Sequence, residues 1–127
     1  MSNPRKYPDD DWNKTKKEMK EILINLSKNR SLITYLELTE KIKTINFNVR
    51  ASYLYKMLDE VSLEENEAKR GLLSAVVVRK DTYEPGKGFY ELIEKRKRNA
   101  LCDIECWRDA VRKVHNYWVS QGKKNAK

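Results

Sequence analysis

Apolar side chains recur at helical spacing through the first half of the chain, where no Gly or Pro occurs between Asp9 and Arg70. An acidic start at 9–11 suits the positive end of a helix. The apolar positions that follow it at helical spacing are Trp12, Met19, Ile22, Leu23 and Leu26. This pattern predicts a first helix from about 11 to 29.

Two further helices are predicted from the next apolar positions. Thr34 and Glu37 match a capping box, in which each side chain pairs with an otherwise unpaired backbone N–H, so a second helix begins there. After the Asn-rich segment 44–48 the apolar period resumes and predicts a third helix from about 48 to 61. Ser62 opens a second possible capping box, so an acidic helix ending near Gly71 either stacks on the third helix or continues it.

The next segment predicts a β-hairpin. Residues 72–78 are apolar and β-branched toward their end, and residues 88–93 are a second strand candidate. Between them, residues 84–87 contain Pro85 and Gly86 in the positions that a type II turn prefers.

A last amphipathic helix is predicted after Asn99, a possible N-cap. Its apolar positions repeat every three or four residues and are Leu101, Ile104, Trp107, Val111, Val114 and Trp118. The two tryptophans suit a core against the first helix, and a regular seam of this kind also suits a homodimer through the C-terminal helix. We therefore predict one domain over 11–119, preceded by an N-terminal arm over 1–10 and followed by a loose basic tail over 120–127.

The order helix, short strand, helix, turn, helix, hairpin, helix resembles the winged helix-turn-helix superfamily. The fragments that carry the resemblance are Ile33-Thr34-Tyr35-Leu36-Glu37-Leu38 and Pro85-Gly86-Lys87-Gly88-Phe89-Tyr90. It implies an α+β class, a mostly helical domain with residues 34–61 as the helix-turn-helix and residues 72–93 as a C-terminal β-hairpin wing. The long amphipathic helix after the wing departs from the usual pattern.

The same resemblance implies a nucleic-acid interface on the third helix and the wing. The positions that it assigns there are Arg50, Ser52, Tyr55, Lys56, Arg79, Lys80 and Lys87. Arg50 suits a base edge or a phosphate, and the lysines suit phosphates. With 27 Lys and Arg against 19 Asp and Glu, the net charge of +8 favours approach to a polyanion.

Two charged segments leave an alternative open. Acidic residues from 59 to 67 directly follow the candidate reading helix and would repel a duplex lying along it. The basic run 95–98 could touch phosphates or lie solvated at a junction. The alternative is a protein-protein interaction or accessory module of a larger assembly, which docks a protein partner through one of these segments.

Catalysis finds little support in the sequence. His115 is the only histidine, and Cys102 and Cys106 lie four apart without further ligands, so both thiols are interpreted as packing residues. Gly flanks Lys87 on both sides, but the long loop and Ser or Thr of a phosphate loop are absent. We expect no enzyme activity, no metal and no cofactor.

The expected compartment is the cytoplasm. No apolar run approaches the roughly 20 residues of a membrane helix, and the start lacks the apolar region of a signal peptide. The sequence thus predicts a cytoplasmic basic protein, with no membrane contact, that binds nucleic acid without catalysis. Double-stranded DNA is the expected ligand.

Overall fold

Helices account for most of the residues that the computed structural model describes, which are 8–45, 52–97 and 104–125. In chain order the elements are α1 (Asp9–Lys28), β1 (Ile33–Thr34), α2 (Tyr35–Lys41), α3 (Ser52–Glu67), a 3-10 helix (Leu73–Val76), β2 (Val77–Val78), α4 (Lys87–Lys97) and α5 (Ile104–Asn125). The mostly helical first half is confirmed. Among the described residues, no helix is long and apolar enough to cross a membrane.

The first two helices begin where their local signals place them. Helix α1 follows Pro8 with three aspartates in its first turn, and it buries Trp12 and Met19. The capping box at the start of α2 is present, because the Thr34 hydroxyl accepts a hydrogen bond from the Glu37 amide at 3.1 Å. The Glu37 carboxylate in turn accepts one from the Thr34 amide at 3.0 Å.

Helix α3 continues through the acidic segment to Glu67. Of the two predicted arrangements, the one in which the acidic helix continues the third helix is therefore correct. Ser62 does not start a new helix. Its hydroxyl is buried and lies 2.9 Å from the Ser74 hydroxyl, which joins α3 to the 3-10 helix.

The predicted β-hairpin wing is wrong, and with it the α+β class with a C-terminal hairpin. Residues 73–76 form the 3-10 helix, and β2 pairs in parallel with β1 in the register Ile33 to Val77 and Thr34 to Val78. The second predicted strand lies inside helix α4. Phe89 and Ile93, four residues apart, are both buried, which is the spacing of one helix face.

Two apolar clusters form the core. The first includes Trp12, Met19, Leu23, Leu54 and Met57, where α1 meets α3. The second joins the 3-10 helix, β2, α4 and α5 through Ala75, Val78, Phe89, Ile93 and Trp107.

Helix α5 packs against α1 and the 3-10 helix, so the last helix is integral to the core. Trp107 and Val114 of the predicted stripe are buried, whereas Leu101 and Asn99 lie outside the described residues. The helix runs to Asn125, past the boundary predicted near 119. The described part of the stripe is therefore covered largely within the chain.

Candidate nucleic-acid interface

A cavity of about 510 Å³ lies between α3 and the segment that joins β2 to α4. Its walls include Tyr55, Arg79 and Lys87, three of the residues that the sequence assigned to the interface. Tyr35 from α2 and Phe89 from α4 complete an aromatic lining. Residues far apart in the chain thus form one concave surface with aromatic rings and two cations.

Tyr35 holds this surface together. Its hydroxyl accepts a hydrogen bond from the Gly86 amide at 3.1 Å, which ties the start of α2 to the turn before α4. Burial raises the pKa of Tyr35, against the smaller effect of that hydrogen bond, so the hydroxyl keeps its proton. The ring centroid lies 5.3 Å from that of Tyr55, at a tilt of 57°. The Tyr55 side of this pair is 43% exposed and can meet a ligand.

A closed loop presents Arg79 at the rim of the cavity. The Arg79 amide donates to the Glu84 carbonyl and the Arg79 carbonyl accepts from the Tyr83 amide, both at 2.8 Å. The guanidinium donates twice to Asp81, at 3.1 and 2.8 Å, and these bonds lower the pKa of that carboxyl. Because both side chains are exposed, this pair contributes little to stability.

The predicted interface residues apart from Tyr55 and Arg79 fall into three groups. Lys56 and Lys80 are exposed on α3 and in the loop after β2. Lys87 lies in the first turn of α4 rather than in a wing turn, with its ammonium 3.9 Å from the Glu91 carboxylate. Ser52 is the first residue of α3, and Arg50 lies outside the described residues.

Two acidic side chains after the cavity turn away from it toward α1. Glu60 accepts a hydrogen bond from the Trp12 indole at 3.2 Å and lies 3.3 Å from the Lys16 ammonium. Glu64 pairs with the same lysine and, at 3.2 Å, with Lys20. Burial opposes these bonds, but they outweigh it and lower the pKa of Glu64.

Glu65 is the deepest member of this ion-pair network, with 2% of its side chain exposed. Arg70 donates to its two carboxylate oxygens at 2.8 Å each. The acidic segment therefore stabilises the packing of α3 on α1, and its charge is largely compensated within the chain. Asp59, by contrast, lines the cavity and places a carboxylate near the two tyrosines.

Sequence reasoning missed Tyr35, Asp59 and Phe89 as interface residues. Tyr35 and Phe89 both lie in the two fragments that carry the winged-helix resemblance, but the resemblance assigned neither of them to the interface. The hydrogen bond between Tyr35 and Gly86 ties α2 to the turn before α4, where these side chains line one cavity. Asp59 stood out in the sequence only as part of the acidic segment 59–67, which was expected to repel a duplex.

The residues that could support catalysis have structural partners. His115 is buried, and its Nε2 donates to the Ser31 carbonyl at 3.0 Å. Burial lowers the pKa of His115, so the ring is neutral near pH 7. Within the described ranges, no group of three or more His, Cys, Asp or Glu could hold a metal ion.

Cys106 is disulfide-bonded, so its interpretation as a packing thiol is wrong. The other cysteine of the chain, Cys102, lies outside the described residues. The cytoplasmic location stays a prediction, and a disulfide is uncommon in that compartment.

The chain was compared with known protein families, curated proteins and solved structures, and none of the three comparisons found a match.

Proposed function

We propose that this protein binds nucleic acid without catalysis, through the surface that α3 shares with the segment from β2 to α4. One observation carries the proposal: Tyr55, Arg79 and Lys87 line a single cavity. The acidic residues Glu64 and Glu65, which would repel a polyanion, are paired with cations elsewhere.

The chemistry of the surface suits both parts of a nucleotide. Arg79 and Lys87 at the rim can neutralise phosphates, helped by the exposed Lys56 and Lys80. The half-exposed Tyr55 ring can stack on a base, as aromatic side chains do in sequence-tolerant binding. The Asp59 carboxylate can accept a hydrogen bond from a base amino group.

Duplex DNA is the ligand to test first, because it carries the denser phosphate charge. The affinity of the wild-type protein is measured at 50 and 200 mM salt, with a single strand of the same sequence alongside. Arg79→Ala and Lys87→Ala should each reduce the slope of log affinity against log salt by about one. Lys17→Ala, which removes an exposed cation from α1, is the matched control and should change the slope less.

The absence of binding to either ligand at about 50 mM salt, where phosphate contacts are strongest, would contradict the proposal. Equal effects of Lys17→Ala and Lys87→Ala would show a diffuse attraction to the whole protein rather than this surface.

The alternative function, a docking module for a protein partner, stays a prediction, although part of its acidic contact segment at 59–67 is engaged within the chain. The acidic residues at 60–65 contact α1 and Arg70 within the chain. The homodimer through the C-terminal helix stays a prediction, and Trp107 and Val114 of its proposed seam are already buried in the core.

A further inference from the structure

A second cavity, of about 520 Å³, is bordered by Tyr83 from the loop that carries Arg79. Three arginines line it: Arg30 after α1, and Arg108 and Arg112 on successive turns of α5. Tyr83 forms part of the rim, with 52% of the residue exposed. Neither the charge of the chain nor its predicted elements brought these side chains together.

Unusual backbone conformations cluster at this cavity. Arg30 and Tyr83 have φ angles of 54° and 57°, in the left-handed region that residues with a Cβ rarely adopt. Within the described residues, one further non-glycine residue, Lys69, has a positive φ. Arg30 occupies the position after α1 where helices commonly place a glycine, and its amide donates to the Ser27 carbonyl at 3.0 Å. Strain of this kind concentrates at functional sites.

The Arg30 side chain is held in place without losing its charge. Its guanidinium donates to the side-chain carbonyl of Asn116 at 2.9 Å, and an amide is neutral. The guanidinium therefore keeps its full positive charge, and its remaining N–H groups can donate hydrogen bonds to an anion.

The two arginines of α5 are paired only at the surface. Arg108 contacts Glu105 at 2.8 Å and Arg112 contacts Asp109 at 2.7 Å, each one turn earlier on the same helix. The side chains of both acids are about 70% exposed, and exposed pairs of this type contribute little. A phosphate in the cavity can replace them, because a guanidinium binds it through two parallel hydrogen bonds.

We propose that this second cavity binds the phosphate groups of a nucleotide. Arg30, Arg108 and Arg112 hold the phosphates, and the exposed ring of Tyr83 stacks on the base. The indole nitrogen of Trp107 is already bonded to the Ala75 carbonyl, so this residue acts as an apolar wall. The phosphates can belong to a free nucleotide or to a nucleic-acid strand, and the site stands independently of the function proposed above.

The test is a calorimetric titration of the full chain with ATP at about 50 mM salt. Arg112→Ala should weaken binding about tenfold or more, since it removes hydrogen bonds to a charged group. Lys113→Ala is the matched control: it removes a positive charge from the neighbouring exposed residue of α5, which does not line this cavity. Its effect should be below about threefold, and both variants should melt at the wild-type temperature.

Tripolyphosphate and a short single strand separate the parts of the proposal. Tyr83→Ala should weaken the binding of ATP and leave the affinity for tripolyphosphate unchanged, because of these two ligands only ATP has a base that can stack on the ring. A strand that displaces ATP from the wild-type protein assigns the phosphates to nucleic acid. If ATP stays bound in the presence of the strand, the phosphates belong to a free nucleotide.

Either of two results would overturn the site outright, and a third would reject it in favour of the first cavity. One is the failure of ATP and the strand to bind the wild-type protein. The other is an equal loss for Arg112→Ala and Lys113→Ala. The third result is strand binding that Arg112→Ala leaves unchanged and Lys87→Ala weakens. It would exclude this cavity as the site and leave the function proposed above intact.

Discussion

The indole nitrogen of Trp107 donates a hydrogen bond to the backbone carbonyl of Ala75 at 2.9 Å. Both residues are buried, and they join α5 to the 3-10 helix that leads into β2. The last helix is thus attached to the centre of the molecule by a directional contact as well as by apolar packing. Four predictions follow from contacts of this kind.

Trp107→Ala should lower the free energy of unfolding by about 3–5 kcal/mol, as truncation of a core tryptophan does. Trp107→Phe keeps most of the packing but leaves the Ala75 carbonyl unpaired, which costs about 1–3 kcal/mol. Urea unfolding followed by circular dichroism measures both. Trp118→Phe is the matched control, because the buried Trp118 indole nitrogen has no hydrogen-bond partner within the described chain. Equal losses for the two Trp→Phe variants would contradict the role of the Ala75 bond.

Glu65→Gln should lower the free energy of unfolding by about 2–4 kcal/mol. It removes the charge that Arg70 contacts through two hydrogen bonds in a buried place, and the partial exposure of Arg70 moderates the cost. The same change at Glu105, whose pair with Arg108 is exposed, should cost less than about 1 kcal/mol. Similar midpoints of urea unfolding for the two variants would show that burial does not strengthen the Glu65 pair.

Tyr35→Phe should release the Gly86 amide from its hydrogen bond and cost about 1 kcal/mol. Hydrogen exchange reports this directly, because the Gly86 amide should lose protection. The Arg79 amide, bonded to the Glu84 carbonyl, should keep its own protection and serves as an internal control. If the first cavity is the interface, the variant should also bind DNA more weakly. An unchanged exchange rate at Gly86 would remove Tyr35 from its positioning role.

The stability of the wild-type protein should fall as the pH drops from 7 to 5, in part through His115. Burial lowers the pKa of His115 below its usual 6.5, so the unfolded chain takes up the proton first. The contribution of the neutral His115 to the free energy of unfolding is therefore fully present above about pH 6.5. It is lost as the pH falls from there through the lower pKa of His115 in the folded protein. His115→Gln, which can still donate to the Ser31 carbonyl, should show a shallower fall in melting temperature over this range. If the melting temperatures of the wild-type protein and of His115→Gln fall in parallel with pH, the histidine is excluded as the cause.

Local signals in the sequence determined the early helices. The Thr34 and Glu37 box and the apolar spacing in α1 act over one or two turns, so the residues that carry the signal also make the contacts. The last helix was predicted for the same reason, since Trp107 and Val114 lie on one face and are buried together.

The segment from 72 to 93 shows where local reasoning fails. A run that is buried throughout, such as 73–78, carries no alternation, so its partner cannot be identified from its own pattern. The partner of Val77 and Val78 is β1, in parallel and distant in the chain, rather than the adjacent segment. Phe89 and Ile93 were interpreted as a strand, although their spacing of four also fits the helix that forms.

For the candidate site, the sequence by itself supplied the cations and Tyr55, through a resemblance whose hairpin the structure lacks. The tertiary structure decided which of them meet, because β1 and β2 pair and the Tyr35 hydroxyl holds Gly86 beside α2. It also decided that Glu64 and Glu65 face cations of α1 and Arg70 instead of the first cavity. Charge is a property of composition, but its arrangement depends on contacts between residues distant in the chain, which the local sequence does not encode.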